Sequence, residues 1–256
     1  MNQNTANQVS EAVSFHKRGK LAQAHKIYEI ILLKEPNNTE ILKLIGAIEL
    51  QYKNFSKSIH YLDRAIESDK NIAELYSLRG SVDLELKKYD SATNNFQRAI
   101  KIDKNFKDAY FNLGVICRYK KEPIKALNYF DKVTFIDKKN VKAFANKAFI
   151  KIKLRDFNNA LKDLNKAIEY DPNYTNAYLQ RGNVHKELKL FDKSLNDYNK
   201  VLSLKDIKTK LLYNEALFNK SQLYLLRGNF TEGWKLYENR FKVNSHPLKD
   251  RIFLKL

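Results

Sequence analysis

The sequence predicts an all-α fold, a tandem array of helix pairs, and three observations carry that expectation. The 256-residue chain holds only 7 Gly and 4 Pro, too few for the turns and bulges that an all-β fold needs at its corners. It repeats itself every 34 residues over most of its length, the period of a helix-turn-helix solenoid unit. Within each period apolar residues fall on one helical face, as Tyr110, Leu113, Gly114 and Cys117 do at i, i+3, i+4 and i+7, and as Ala92, Phe96, Ala99 and Ile100 do on the following helix.

Six units run in strict register, 5–38, 39–72, 73–106, 107–140, 141–174 and 175–208, and a seventh at roughly 214–247 follows an insertion. The first helix of the unit carries a small residue at its eighth position: Gly46, Gly80, Gly114, Ala148 and Gly182. The second helix carries another at the twentieth: Ala24, Ser58, Ala92, Ala126, Ala160 and Ser194. Small residues there let two helix backbones approach closely where they cross. Four positions later comes a bulky column, Tyr28, Leu62, Phe96, Phe130, Leu164 and Tyr198. Turn chemistry agrees with this division. Gly19 and Gly228 can close first helices in the left-handed conformation, and Asn54, Asp90, Asp156 and Asp192 are placed to cap second helices. Pro123 falls in a first helical turn, and Pro36 and Pro172 break the chain at the ends of two units. Residues 248–256 read as a tail or a truncated linker.

The unit Ala73 to Phe106, with Tyr76, Gly80, Tyr89, Ala92, Phe96, Ala99, Ile100 and Asp103, resembles the tetratricopeptide repeat family, and the resemblance covers nearly the whole chain. It implies a right-handed α-solenoid of about seven repeats whose concave groove is lined by the first helices. The segment from Leu225 to Phe230, followed by Gly233, Trp234, Tyr237 and Phe241, resembles the last repeat of bacterial proteins in which a glycosyltransferase-like domain follows.

Lys and Arg number 47 against 29 Asp and Glu, a net charge of +18. One basic column, Lys53, Lys87, Lys121, Arg155 and Lys189, sits where the negative end of a helix dipole favours cations. A second, Arg64, Arg98, Lys132, Lys166 and Lys200, falls on the back of the second helix. No basic run is long and no RNA-binding signature interleaves them, which argues against nucleic acid as the partner. A third row, Arg79, Lys147, Arg181 and Lys220, stands where the family places aliphatic residues, and a row of cations suggests an acidic partner.

Nothing in the sequence points to catalysis or to a cofactor. The glycines are repeat punctuation with no phosphate-binding or nucleophile motif, and the five histidines, His16, His25, His60, His185 and His246, form no metal-ligand pattern. The single cysteine, Cys117, lies on an apolar helix where a thiol behaves as a small hydrophobe, and its solitude excludes an intrachain disulfide. The opening ten residues are polar, and the longest aliphatic run, Ile30 to Leu33, is far short of a membrane span; the expected compartment is the cytoplasm.

The expected function is therefore non-catalytic: a scaffold that holds a peptide segment of a partner protein in the concave groove. The resemblance places Phe111, Asn112, Val115, Asn146, Phe149, Lys153, Leu179, Gln180, Asn183, Lys186 and Asn219 on that surface. Phe111, Phe149 and Leu179 would serve as apolar anchors. Asn112, Asn146, Gln180 and Asn219 resemble part of an amide ladder, since a carboxamide both donates to and accepts from an extended backbone. The alternative is a substrate-recruiting arm of a glycosyltransferase-like protein whose catalytic domain lies outside this chain.

Overall fold

The computed structural model describes residues 3–204 and 210–238, and among them it holds fourteen α-helices and no strand. The chain divides into two compact units, residues 1–132 and 133–256, with the boundary inside α8 (Pro123–Ile136). The first unit holds α1 (Gln3–Lys17), α2 (Leu21–Lys34), α3 (Thr39–Gln51), α4 (Phe55–Ser68), α5 (Ala73–Glu85), α6 (Tyr89–Ile102) and α7 (Lys107–Tyr119). The second holds α9 (Val141–Lys153), α10 (Phe157–Tyr170), α11 (Thr175–Glu187), α12 (Phe191–Ser203), α13 (Lys210–Leu226) and α14 (Phe230–Tyr237). First helices from α3 to α11 start 34 residues apart, and so do second helices from α2 to α12.

Helices pack on their chain neighbours, as a tandem repeat requires. In the first unit α3 packs on α4 and α5 on α6, each second helix then packs on the next first helix, and α3, α5 and α7 also touch one another in sequence. The second unit repeats this from α9 to α14. The bulky column fills the crossing. Phe96, Phe130 and Tyr198 are wholly buried, each worth about 2–3 kcal/mol of transferred apolar surface. A methyl group on Gly80 would stand 2.9 Å from the Phe96 ring, and one on Gly114 would stand 2.8 Å from Phe130. Where the twentieth position is serine, its hydroxyl is satisfied across the crossing: Ser58 Oγ donates to the Gly46 carbonyl at 2.7 Å. The alanines of that column, Ala24, Ala92, Ala126 and Ala160, are buried with no polar atom to satisfy.

The turns depart from expectation in an informative way. Gly19 and Gly228 adopt φ of 73° and 78°, and Lys53, Lys87, Lys121, Arg155 and Lys189, in the same repeat position, share φ near 60°. The next residue closes each turn: Asn54 N–H donates to Glu49 O at 2.8 Å and Lys88 N–H to Asp83 O at 2.8 Å. This is a six-to-one helix-ending bond of the Schellman kind. It fixes the N-cap of the following helix at the residue after the left-handed one. Of the four caps expected, Asn54 and Asp156 occupy that position, and only Asp156 caps with its side chain, accepting from Asn159 N–H at 3.4 Å. Asn54 turns its amide to Glu49 instead, at 2.7 Å. Asp90 and Asp192 stand inside the first turns of α6 and α12 and pair with Lys120 and Arg227. Asn38 and Asn140 cap α3 and α9, where the sequence reading assigned no cap. Pro123 is the first residue of α8.

Candidate functional site

In the first unit the C-terminal halves of α3 and α5 enclose a cleft of about 350 Å³ lined by Leu50, Gln51, Lys53, Ser81, Leu84 and Glu85, with Asn112 of α7 at its side. Phe111 is half-buried and meets the Phe130 ring edge-on at 5.5 Å; Val115 is half-buried one turn along α7. In the second unit the same repeat positions recur between α11 and α13. There a cleft of about 670 Å³ is lined by Lys186, Glu187, Lys189, Phe191, Gln222, Leu225 and Leu226.

The groove residues expected in the second unit have unequal roles. Asn183 Oδ1 accepts from Tyr198 Oη at 2.7 Å and from Asn219 Nδ2 at 2.9 Å, so these amides bind α11 to α12 and α13. Asn219 is buried, and Leu179, 3% exposed, belongs to the core with Tyr198 and Val201 and offers no anchor to a ligand. Asn146 donates to the Lys142 carbonyl at 2.8 Å, and Lys153 lies over the Phe149 ring at 5.5 Å. Gln180 has a buried side-chain oxygen with no partner among the described residues. Lys186 donates to Gln222 Oε1 at 2.9 Å, and burial holds its ammonium pKa below the ordinary value against the opposing pull of Glu187 and Glu215. Glu215 is pushed up by burial, with Lys186 opposing. Phe191, Leu225 and Leu226 complete the cleft; the sequence singles out Leu225 and Leu226 only in the resemblance of the last repeat, and their place in the groove shows as the recurrence of the positions of Leu84 and Glu85.

Three members of the cationic row, Arg79, Lys147 and Arg181, find acids within the chain. Arg79 donates to Asp63 at 2.9 Å and pairs with Asp83, a buried carboxylate that also accepts from Ser91 at 2.7 Å and Asn95 at 2.9 Å. Arg181 forks onto Asp197, with its shortest bond at 2.7 Å, and reaches Asn165 at 2.8 Å. His185 Nδ1 lies 2.9 Å from the same Asp197. Lys151 and Lys147 approach Asp163 at 2.6 and 3.8 Å, and Lys220 donates to Asn199 at 2.7 Å. The basic back is likewise engaged: Arg98 covers the Tyr76 ring at 5.7 Å, Lys166 covers Phe144 at 5.4 Å and Lys200 covers Tyr178 at 5.9 Å.

Cys117 is buried, and burial, followed by Glu122, pushes its thiol pKa up, away from a reactive thiolate. Among the described residues no cluster of His, Cys, Asp and Glu could hold a metal ion, and no helix is long and apolar enough to cross a membrane. His246 and the tail 248–256 lie outside the described residues.

Sequence comparison bears on the helix pairs directly. A family model described as TPR repeat matches residues 80–117 and 150–189, and one described as tetratricopeptide repeat matches 107–140 and 175–207. These residues are tetratricopeptide repeats. No curated protein sequence matches the chain. Among solved structures, Pseudomonas aeruginosa pilF is similar with a TM-score of 0.73 at 17% identity, covering 82% of this chain and 95% of that one. A tetratricopeptide repeat protein from Parabacteroides merdae covers 96% and 94% at 16% identity, with a TM-score of 0.68. YrrB, described as a TPR protein with an unusual peptide-binding site, covers 75% and 97% at 18% identity, with a TM-score of 0.58. At these identities the likeness is one of fold, the tetratricopeptide helix pair repeated in tandem.

Proposed function

We propose that this chain is a non-enzymatic interaction scaffold whose first helices hold a peptide segment of a partner protein. The observation that carries the reading is the recurrence of one cleft, at the same repeat positions, in both compact units. Each cleft combines apolar walls, Leu50 and Leu84 in one, Phe191 and Leu225 in the other, with amides at its side, Gln51 and Asn112 or Gln222. Apolar walls supply affinity and amides orient a backbone. The peptide-binding site named for YrrB is consistent with this use of the fold. A partner segment carrying acidic residues suits the net charge of +18 and the half-buried Lys186.

A random peptide library panned against the whole chain tests the reading, with affinities of the selected peptides measured by calorimetry. Asn112→Ala in the first cleft or Leu226→Asp in the second should weaken a selected peptide about tenfold with helicity unchanged. A library that yields no binder, or binders indifferent to both substitutions, removes the groove from consideration.

A further inference from the structure

Charge in the first unit is segregated between its two edges. Three of the four turns joining the helices of a pair, residues 52–57, 86–91 and 120–125, hold seven lysines against two acids, Asp90 and Glu122. The loops joining successive pairs, residues 35–40, 69–74 and 103–108, hold three lysines against six acids. The corresponding turns of the second unit, 154–159, 188–193 and 227–232, hold four cations against three acids, so the excess belongs to one edge of one unit.

Three contacts show that these turns form a continuous surface. Lys53 and Lys57 share a cleft with Lys88 of the next turn, Lys120 reaches Asp90 at 2.6 Å, and the Tyr89 and Tyr119 rings stack at 6.0 Å. Lys120 and Lys125 are paired. The other five lysines are exposed and make no ion pair among the described residues. Lys53, Lys87 and Lys121 leave the backbone from the same left-handed geometry, which spaces their charges at the period of the repeat. The shared cleft is about 610 Å³, with Lys53, Lys57 and Lys88 at its rim beside Phe55, Ile59 and Leu86. Tyr52 and Tyr119 stand exposed along the same edge, at 44% and 59%.

We infer that this edge of the first unit binds a single-stranded nucleic acid, with phosphates on the lysines and a base against the apolar floor of the cleft at Phe55 and Leu86. A row of cations interleaved with aromatic rings is what a strand with charged links and stacking faces requires. A flat lipid surface cannot enter a concave cleft, and an acidic side chain brings charge without a ring. No single turn holds more than three lysines, so reading along the chain for basic runs passes over a surface that only stacking of repeats assembles.

Fluorescence anisotropy of the whole chain with a labelled 20-mer of oligo-dT tests the assignment at ~50 and ~200 mM salt. Binding should be present at the lower salt and fall steeply at the higher. Lys53→Gln, Lys57→Gln and Lys88→Gln combined should weaken it about tenfold or more and reduce the salt slope by about 2, at about 0.7 per phosphate contact on a single strand. Lys70→Gln, Lys101→Gln and Lys104→Gln combined, also exposed lysines of the first unit, should leave affinity within about twofold. Circular dichroism checks both variants, and Lys88→Gln alone, if the triple fails to fold, should still weaken binding about twofold or more. No binding at the lower salt, or equal loss in the two triple variants, overturns the proposal. So does displacement of the oligonucleotide at lower charge concentration by phosphatidylserine vesicles or poly-glutamate, which would assign the edge to a lipid surface or an acidic protein.

Discussion

Ser194 Oγ donates to the carbonyl oxygen of Gly182 at 2.7 Å across the crossing of α11 and α12, with both residues wholly inside the core. The bond exists only because the two backbones come close enough for a serine to span them, and Gly182 is what permits that approach. A methyl group on Gly182 would stand 2.7 Å from Cε1 of Tyr198.

Alanine at Gly182 should therefore destabilise, whereas alanine at Gly46 should not. Tyr198 is buried and its hydroxyl is held by Asn183 at 2.7 Å, so its ring has nowhere to turn. Overpacking of that kind costs about 1–3 kcal/mol, against about 1 kcal/mol gained by removing a helical glycine. Gly46 faces the flexible end of Leu62 at 2.8 Å, and the fifth repeat already pairs Ala148 with Leu164 at the same two positions, both buried. Urea midpoints for Gly182→Ala and Gly46→Ala check the contrast; equal shifts would show that the bulky residue opposite does not set the cost.

Lys87→Gly should stabilise the chain by about 0.5–1 kcal/mol. Lys87 is exposed at φ 59°, a conformation that costs a residue with a Cβ roughly 1–2 kcal/mol and costs glycine nothing, while glycine adds chain entropy to the unfolded state. Gly19 and Gly228 occupy this position in the first and last pairs. A thermal midpoint below that of the parent would show that the lysine side chain stabilises the turn by more than its backbone strain.

The fold was legible because its information is periodic: a helix pair every 34 residues leaves the same small and bulky columns wherever one looks, and Gly80 opposite Phe96 is the same fact as Gly114 opposite Phe130. The caps are hidden from sequence because the left-handed turn at Lys87 and Lys189 sets the helix start before Asp90 and Asp192, and lysine gives no sign of positive φ. The site was legible only in outline. Leu179 and Asn219 sit in groove positions of the repeat pattern, yet the contacts with Tyr198 and Asn183 that bury them arise between helices. The ion partners of Arg181 and Lys151, Asp197 and Asp163, lie 16 and 12 residues away, beyond the one-turn spacing at which charges in a helix are read from sequence.

Stability should fall as pH drops from 7.5 to 5.5, in part through His185. Burial lowers its pKa below the ordinary 6.5, outweighing the pull of Asp197, with Arg181 and Lys193 pushing the same way as burial. The folded protein therefore takes up the ring proton less readily than the unfolded chain does. Above 6.5 neither state binds the proton, and as pH falls through 6.5 the unfolded chain takes it first, so stability is lost on the acid side. His16 acts in the same direction, and Glu215, raised by burial, in the opposite one. His185→Gln, which retains a donor for Asp197, should show a smaller loss between the two pH values; an unchanged loss in urea midpoints would assign the effect elsewhere.

Tyr28→Phe should stabilise the chain by about 1 kcal/mol and flatten its alkaline unfolding. The ring is wholly buried between α1 and α2, in the cluster of Ala12, Ala24 and Ile31, and its hydroxyl has no partner among the described residues. An unsatisfied buried hydroxyl costs on the order of 1–3 kcal/mol, which phenylalanine avoids without changing the shape of the core. Burial, with Glu40 adding to it, pushes the phenol pKa from 10.0 up to about 12. A raised pKa means that the folded state holds the proton longer, so stability is intact below the unfolded value of 10.0 and declines as pH rises beyond it. Denaturation midpoints at pH 8 and pH 11 distinguish the outcomes. A phenylalanine variant that is less stable at pH 8 would show that the hydroxyl is bound after all, and an unchanged alkaline loss would place the titrating group at another tyrosine, such as Tyr198, which burial raises more strongly still.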